Sequence, residues 1–183
     1  DAGGTTGATN LVSNTGVVAS DVAAVGTARR YAMACEYGED KGIFGFGTKS
    51  DDSEVATTNL VTNAGVVGTD VAGVGTVRTS LAACSYGGDK GIFGYGSSDG
   101  SHISMTSLVS NTGVVSADVT GVGAARQDLA ACEYAGNKGI FGYGYGSPST
   151  QSVTNLVSDT GVVSTDVTGV GTAREDLAAC SFN

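Results

Sequence analysis

The stretch Leu81-Ala-Ala-Cys-Ser-Tyr86, Gly87-Gly88-Asp89, Lys90-Gly-Ile-Phe-Gly-Tyr-Gly96 decides the fold class. Two short apolar runs flank a Gly-Gly-Asp step, and these residue types tolerate the backbone angles that a tight turn needs. The stretch therefore reads as a β-hairpin. A polar loop over residues 97–104 follows, then Met105-Thr-Ser-Leu-Val-Ser110, Asn111-Thr-Gly113 and Val114-Val115, which read as a second hairpin. Residues 118–126 bring the chain to Arg126, the counterpart of Arg78, where the pattern begins again. No stretch carries a long apolar stripe at i, i+3, i+4, i+7, and glycine at this density weakens a helix by about 1 kcal/mol per site. The expectation is an all-β chain.

The pattern recurs. Cys35, Cys84, Cys132 and Cys180 are spaced by 49, 48 and 48 residues, and Arg29, Arg78, Arg126 and Arg174 follow the same spacing. So do Asp21, Asp70, Asp118 and Asp166, and Leu11, Leu60, Leu108 and Leu156. Residues 106–132 and 154–180 agree at 22 of 27 positions, so the chain solves one packing problem several times. A period in this range points to a solenoid, a propeller or an array, and four short strands per repeat is the content of a propeller blade. We divide residues 1–183 into units of approximately 1–46, 47–95, 96–143 and 144–183 within one repeat domain.

The order Ala-Arg, small apolar strand, Gly-Gly-Asp-Lys turn, Ile-Phe-Gly-Tyr-Gly, variable loop, Leu-Val-Ser-x-Thr-Gly-Val-Val, Gly-Thr-Ala-Arg resembles the kelch-type repeat over essentially the whole chain. That resemblance implies a β-propeller of about four kelch-like blades, by itself or as part of a larger propeller or array. The family's adjacent glycine pair stands here as Gly45-Phe-Gly47, Gly94-Tyr-Gly96 and Gly142-Tyr-Gly144, and the Trp usual late in its repeat is missing. The phrase Thr-Asn-Leu-Val-Ser-x-Thr-Gly-Val-Val-x-x-Asp-Val-x-Gly-Val-Gly-Thr-Ala-Arg is also similar to tandem repeats in structural proteins of environmental phages.

Naming the strands of a repeat A (around Cys), B (Ile-Phe-Gly), C (Leu-Val) and D (before Arg), the sequence holds four A, C and D strands but three B strands, at Ile43, Ile92 and Ile140. One A and one C strand thus lack the partner between them, and an uncovered sheet edge invites another strand. Three arrangements meet that need: a longer polypeptide, a strand donated by a partner chain, or rearrangement of A and C.

The repeated polar residues offer the candidate sites. Each Cys stands alone in its repeat, so the paired spacing of a zinc ribbon is missing; the expected role of Cys35, Cys84, Cys132 and Cys180 is that of a small buried hydrophobe. Arg29, Arg78, Arg126 and Arg174 are expected to form structural ion pairs between blades, with Asp128 and Asp176 two residues further on, or the Asp of each Asp-Val step, as partners. A ring of these arginines binding an anion is the alternative. The pairs Phe44/Phe46, Phe93/Tyr95 and Phe141/Tyr143 occupy i and i+2 of strand B, suited to packing between blades or to stacking on a sugar. Tyr95, Tyr143, Tyr145 and the single histidine, His102, are the ligand or interface candidates. No catalytic constellation includes His102, no Gly-x-Gly step completes a nucleotide motif, and no metal or cofactor is expected.

Nine Lys and Arg against 18 Asp and Glu give a net charge of −9, which repels nucleic acid. No apolar run approaches the ~18 residues of a membrane span. No Asn-x-Ser/Thr sequon occurs. Variable loops are confined to 47–58, 97–105 and 145–153. The functional expectation is a non-enzymatic structural or surface-display protein of a virion or an extracellular fibre, self-associating or joined to other subunits through rim loops. A carbohydrate-binding propeller module is the alternative, and the location implied is extracellular or on a virion surface.

Overall fold

Three isoleucines organise the sheets. Ile43 pairs with Cys35 on one side and Leu60 on the other, Ile92 with Cys84 and Leu108, and Ile140 with Cys132 and Leu156. These registers come from a computed structural model that describes residues 5–181. The described residues are all-β, without a helix.

The first sheet has the order β1 (Met33–Tyr37), β2 (Lys41–Gly45), β3 (Thr58–Val61). The second runs β4 (Ala82–Tyr86), β5 (Lys90–Gly94), β8 (Thr106–Val109), and the third β9 (Ala130–Tyr134), β10 (Lys138–Gly142), β13 (Thr154–Val157). Every pairing is antiparallel, so the Ile-Phe-Gly strand is the centre of each sheet. Each sheet draws its first two strands from one side of the boundaries at 46, 95 and 143 and its third from the other. The folded unit therefore runs from one Arg towards the next.

The sheets stack face to face. One core joins the first two, with Tyr37, Ile43 and Phe46 against Leu81, Phe93 and Val109; another joins the second and third, with Cys84, Ile92 and Tyr95 against Leu129, Phe141 and Val157. A three-stranded sheet too small to bury its own faces is thus covered by its neighbours, and each fully buried Phe contributes about 1.5–3 kcal/mol. Glycine sets the approach. A Cβ on Gly94 would lie 2.7 Å from the Phe141 ring, and one on Gly139 2.7 Å from Cys84 Sγ.

The D segment joins its sheet only through isolated bridges, Thr106↔Val119 and Val109↔Val115 in the second repeat. Its Asp118 is committed to Thr76 of the preceding repeat, and its Gly123 lies against Asp166 of the following one. Two of the loops carry hairpins that the polar sequence does not announce: β6 (Ser97–Ser98) with β7 (Ser101–His102), and β11 (Tyr145–Gly146) with β12 (Ser149–Thr150). Where no B strand is available, the ladder is incomplete. Residues 9–12 pair only with their own D segment, through Thr9↔Val22 and Val12↔Val18, and residues 177–181 form no strand. Among the described residues no backbone hydrogen bond joins residues 5–30 to residues 171–181.

Candidate functional site

The most elaborate polar arrangement lies at the seam between sheets. Arg126 is fully buried. Its guanidinium lies 4.3 Å above the Tyr95 ring of the second repeat, its Nη2 donates to Asn155 Oδ1 of the third at 2.6 Å, and its Nη1 is 4.0 Å from Asp166. Arg78 repeats this one step earlier, 4.4 Å over Phe46, donating to Ser107 Oγ at 2.7 Å and to Asp118 Oδ1 at 3.2 Å. Arg174 lies 4.0 Å over Tyr143. A desolvated cation–π contact is worth about 2 kcal/mol, and a buried arginine left without a partner costs more than that.

The carboxylate of each clamp also holds the previous repeat's turn. Asp118 accepts from the Thr76 backbone N–H at 2.8 Å and from Thr76 Oγ1 at 2.7 Å, and Asp70 does the same for Thr27. The turn before Thr76 needs Gly75, at φ +81°, because a Cβ there would reach within 2.5 Å of Asp118. Burial raises the Asp118 carboxyl, but the Thr76 hydrogen bonds, the Arg78 charge and Ser107 outweigh it and hold the group below the usual carboxylate range. Burial pulls Arg78 down, opposed by Asp118. The partner of each buried Arg is therefore the Asp of the Asp-Val step. Asp128 instead takes a hydrogen bond from Gln127 Nε2 at 2.7 Å.

The cysteines form a second column. All four are free thiols: Cys84 is buried, Cys35 and Cys132 half-buried and Cys180 exposed. Burial, followed by the neighbouring Cys132, pushes the Cys84 thiol up to about 12, and burial likewise raises Cys35 and Cys132. Protonated thiols facing a glycine of the next sheet are packing groups and poor nucleophiles. Among the described residues no group of His, Cys, Asp and Glu is arranged to hold a metal ion.

The aromatic candidates separate. Tyr95 is fully buried, donating to the Val122 carbonyl at 3.1 Å, and burial pushes its phenol up to about 12. Its face cannot serve as a sugar platform, a correction to its place among the ligand candidates. The physical reason is the backbone: Phe46, Tyr95 and Tyr143 take φ of 62–63°, which turns each ring off strand B and under the next Arg. Tyr143 remains half-buried and donates to the Val170 carbonyl at 3.0 Å. His102 and Tyr145, from neighbouring loops, meet edge to face at 5.3 Å. His102 borders an open groove of about 550 Å³ with Gly100, Ser101, Gly146, Ser147 and Gln151. The sequence reading missed Asn59, Ser107 and Asn155; a polar residue recurring inside the otherwise apolar Leu-Val strand was the available sign. No protein-family model matches the chain, and no curated protein is significantly similar to it.

Proposed function

We propose that the chain is a non-enzymatic structural or surface-display repeat protein, a component of a virion or extracellular fibre whose rim loops make its contacts with copies of itself or with other protein subunits. We assign each three-stranded sheet, with its bridged D segment, to one blade of a kelch-like propeller or of a longer array. One observation carries the reading: the repeated reactive side chains are used internally. The arginines and carboxylates clamp one sheet to the next, and the thiols of Cys35, Cys84 and Cys132 are buried or half-buried in the stack. Sequence variety is left to the loops at 47–58, 97–105 and 145–153. An acidic surface is consistent with partners other than nucleic acid or membrane.

Loop grafting tests this. A foreign epitope inserted between Asp99 and Gly100, or between Ser147 and Pro148, should be bound by its antibody with the thermal midpoint preserved. Unfolding by either insertion would count against a display scaffold. The groove beside His102 and Tyr145 favours carbohydrate binding as a second reading. Reproducible signal on a glycan array, lost in Tyr145→Ser, would establish it; silence across the array would remove it.

A further inference from the structure

One face of every repeat is apolar without a core to serve. After the turn glycine the chain runs Val-Val, and two successive side chains of an extended segment point to opposite sides. Val115 and Val163, each the second of its pair, pack against the buried cores. The first of each pair faces solvent: Val17, Val66, Val114 and Val162 are 61–66% exposed. The D segment adds a second column, Val22, Val71, Val119 and Val167, at 42–46%. Threonine has the same branched shape and strand preference and is better suited to water. Valine nevertheless recurs at all eight positions, while the residues between the columns change from Ala19-Ser20 to Gly68-Thr69 and Ser116-Ala117.

The columns merge into one surface. Val119 of one repeat and Val162 of the next share the wall of a groove of about 210 Å³ with Leu108 and Val122. Val22 and Val66 do the same around a groove of about 140 Å³, with Leu11 and Val25. Apolar knobs and apolar grooves therefore alternate with the repeat, and both grooves lie between successive repeats within the chain. At ~25 cal/mol per Å² of buried apolar surface, and 1.5–3 kcal/mol for a whole valine, the exposed parts of these eight side chains amount to roughly 300–500 Å². A standard interface takes about 800 Å² from each partner, a little over half of it apolar, so the stripe has the size that one such interface needs.

Charge selects the occupant. Residues 8–28, 58–77, 106–125 and 154–173 contain none of the nine Lys and Arg. Of the carboxylates there, Asp70, Asp118 and Asp166 are engaged by Thr27, Thr76 and Ala124. A face without cations attracts neither a polyanion nor an anionic headgroup. It fits an uncharged surface whose knobs recur at its own spacing, and the same face of a second copy is such a surface. We propose that the valine face is the seam of a two-fold dimer, with the valines of one copy seated in the grooves between the repeats of the other. This face is separate from the rim loops, and the dimer does not depend on any contact those loops make.

Sedimentation equilibrium of the full chain tests the seam. A concentration-dependent dimer is expected, and added salt should tighten it by screening the repulsion between two bodies of net charge −9. Val114→Asp with Val162→Asp should weaken the dimer at least about tenfold with the thermal midpoint preserved, because both side chains are exposed in the single copy. Ser101→Asp with Ser149→Asp adds the same charge to the rim loops and should leave the dimer intact. Val114→Thr with Val162→Thr keeps the branched shape and should weaken the dimer to a smaller degree, so the test survives an Asp variant that unfolds. A chain that is monomeric at every concentration overturns the proposal, as does a dimer that salt loosens or that the valine substitutions leave unchanged. Dissociation by the rim-loop pair alone also overturns it, and leaves the reading of the chain as a structural protein with contacts in its loops intact.

Discussion

Arg126 joins two sheets that share no backbone ladder: its guanidinium lies 4.3 Å over Tyr95 of one, and its Nη2 donates to Asn155 of the other at 2.6 Å. The contact makes the stacking order a property of specific side chains, since only the next repeat in sequence presents Asn155 and Asp166 to that guanidinium.

Arg126→Ala should therefore lower the unfolding free energy by about 3–5 kcal/mol, the cost of breaking a buried charged network. Arg126→Lys should recover little of it, because an ammonium cannot lie flat on Tyr95 while reaching Asn155. Tyr95→Phe should cost only about 0.5–1.5 kcal/mol, the value of its hydrogen bond to Val122. The repeat itself places Phe46 at the equivalent position. Urea titration of the three variants checks the order; a Lys variant as stable as the parent would show that charge alone holds the seam.

The glycines of the middle strand are set by the neighbour sheet. A methyl at Gly139 would meet Cys84 Sγ at 2.7 Å, so Gly139→Ala should destabilise by about 1–3 kcal/mol. Adding Cys84→Ala removes the obstructing atom. The double variant should be more stable than the sum of the single effects predicts, by roughly 1 kcal/mol, in a double-mutant cycle. Strict additivity would mean that the clash is relieved elsewhere.

These two relationships mark what the sequence makes legible. Cys, Ile and Leu recur one per repeat on short apolar runs, so the hairpin of β4 and β5 and its β partner texture follow from turn chemistry and apolar pattern. The clamp is less accessible. Arg126 finds Asp166 forty residues ahead, and which sheet face meets which is a property of the stack that no local period encodes. Asp128, two residues away, is the natural partner on an extended strand, but φ of 52° there breaks the alternation that reasoning assumes. The burial of Tyr95 escapes for the same reason, at φ 63°. The β6–β7 hairpin is hidden by composition: Ser, Asp and Gly carry no alternation.

Thiol chemistry should follow position in the stack. At pH 8 an aromatic disulfide reagent should modify the exposed Cys180 rapidly and leave Cys35 and Cys84 unmodified until the chain unfolds. With the Cys84 thiol pushed up to about 12, little thiolate is available in the folded state. Peptide mapping of the labelled protein identifies the sites, and Cys84 reacting as fast as Cys180 would contradict its burial between sheets.

Acid should loosen the seams. Asp70 and Asp118 are held below the usual carboxylate range although burial raises them, because Thr27 with Asn59, and Thr76 with Arg78, favour the charged form. A depressed carboxyl contributes stability that is fully present above its unfolded value of ~3.9 and is lost as pH falls through that value toward the folded one. Glu36 runs the other way, raised by burial and then by the charge of Glu133, so it recovers some stability in a higher window, as pH falls from its raised folded value toward its unfolded value of ~4.3. The clamps outnumber it. The thermal midpoint should be flat from pH 7 to about pH 5 and then fall as these carboxylates protonate. Asp118→Asn keeps an acceptor for Thr76 but removes the charge facing Arg78, so the variant should be less stable at pH 7 and lose less on acidification. A variant whose midpoint falls as steeply as the parent's below pH 4 would place the acid sensitivity outside the seam.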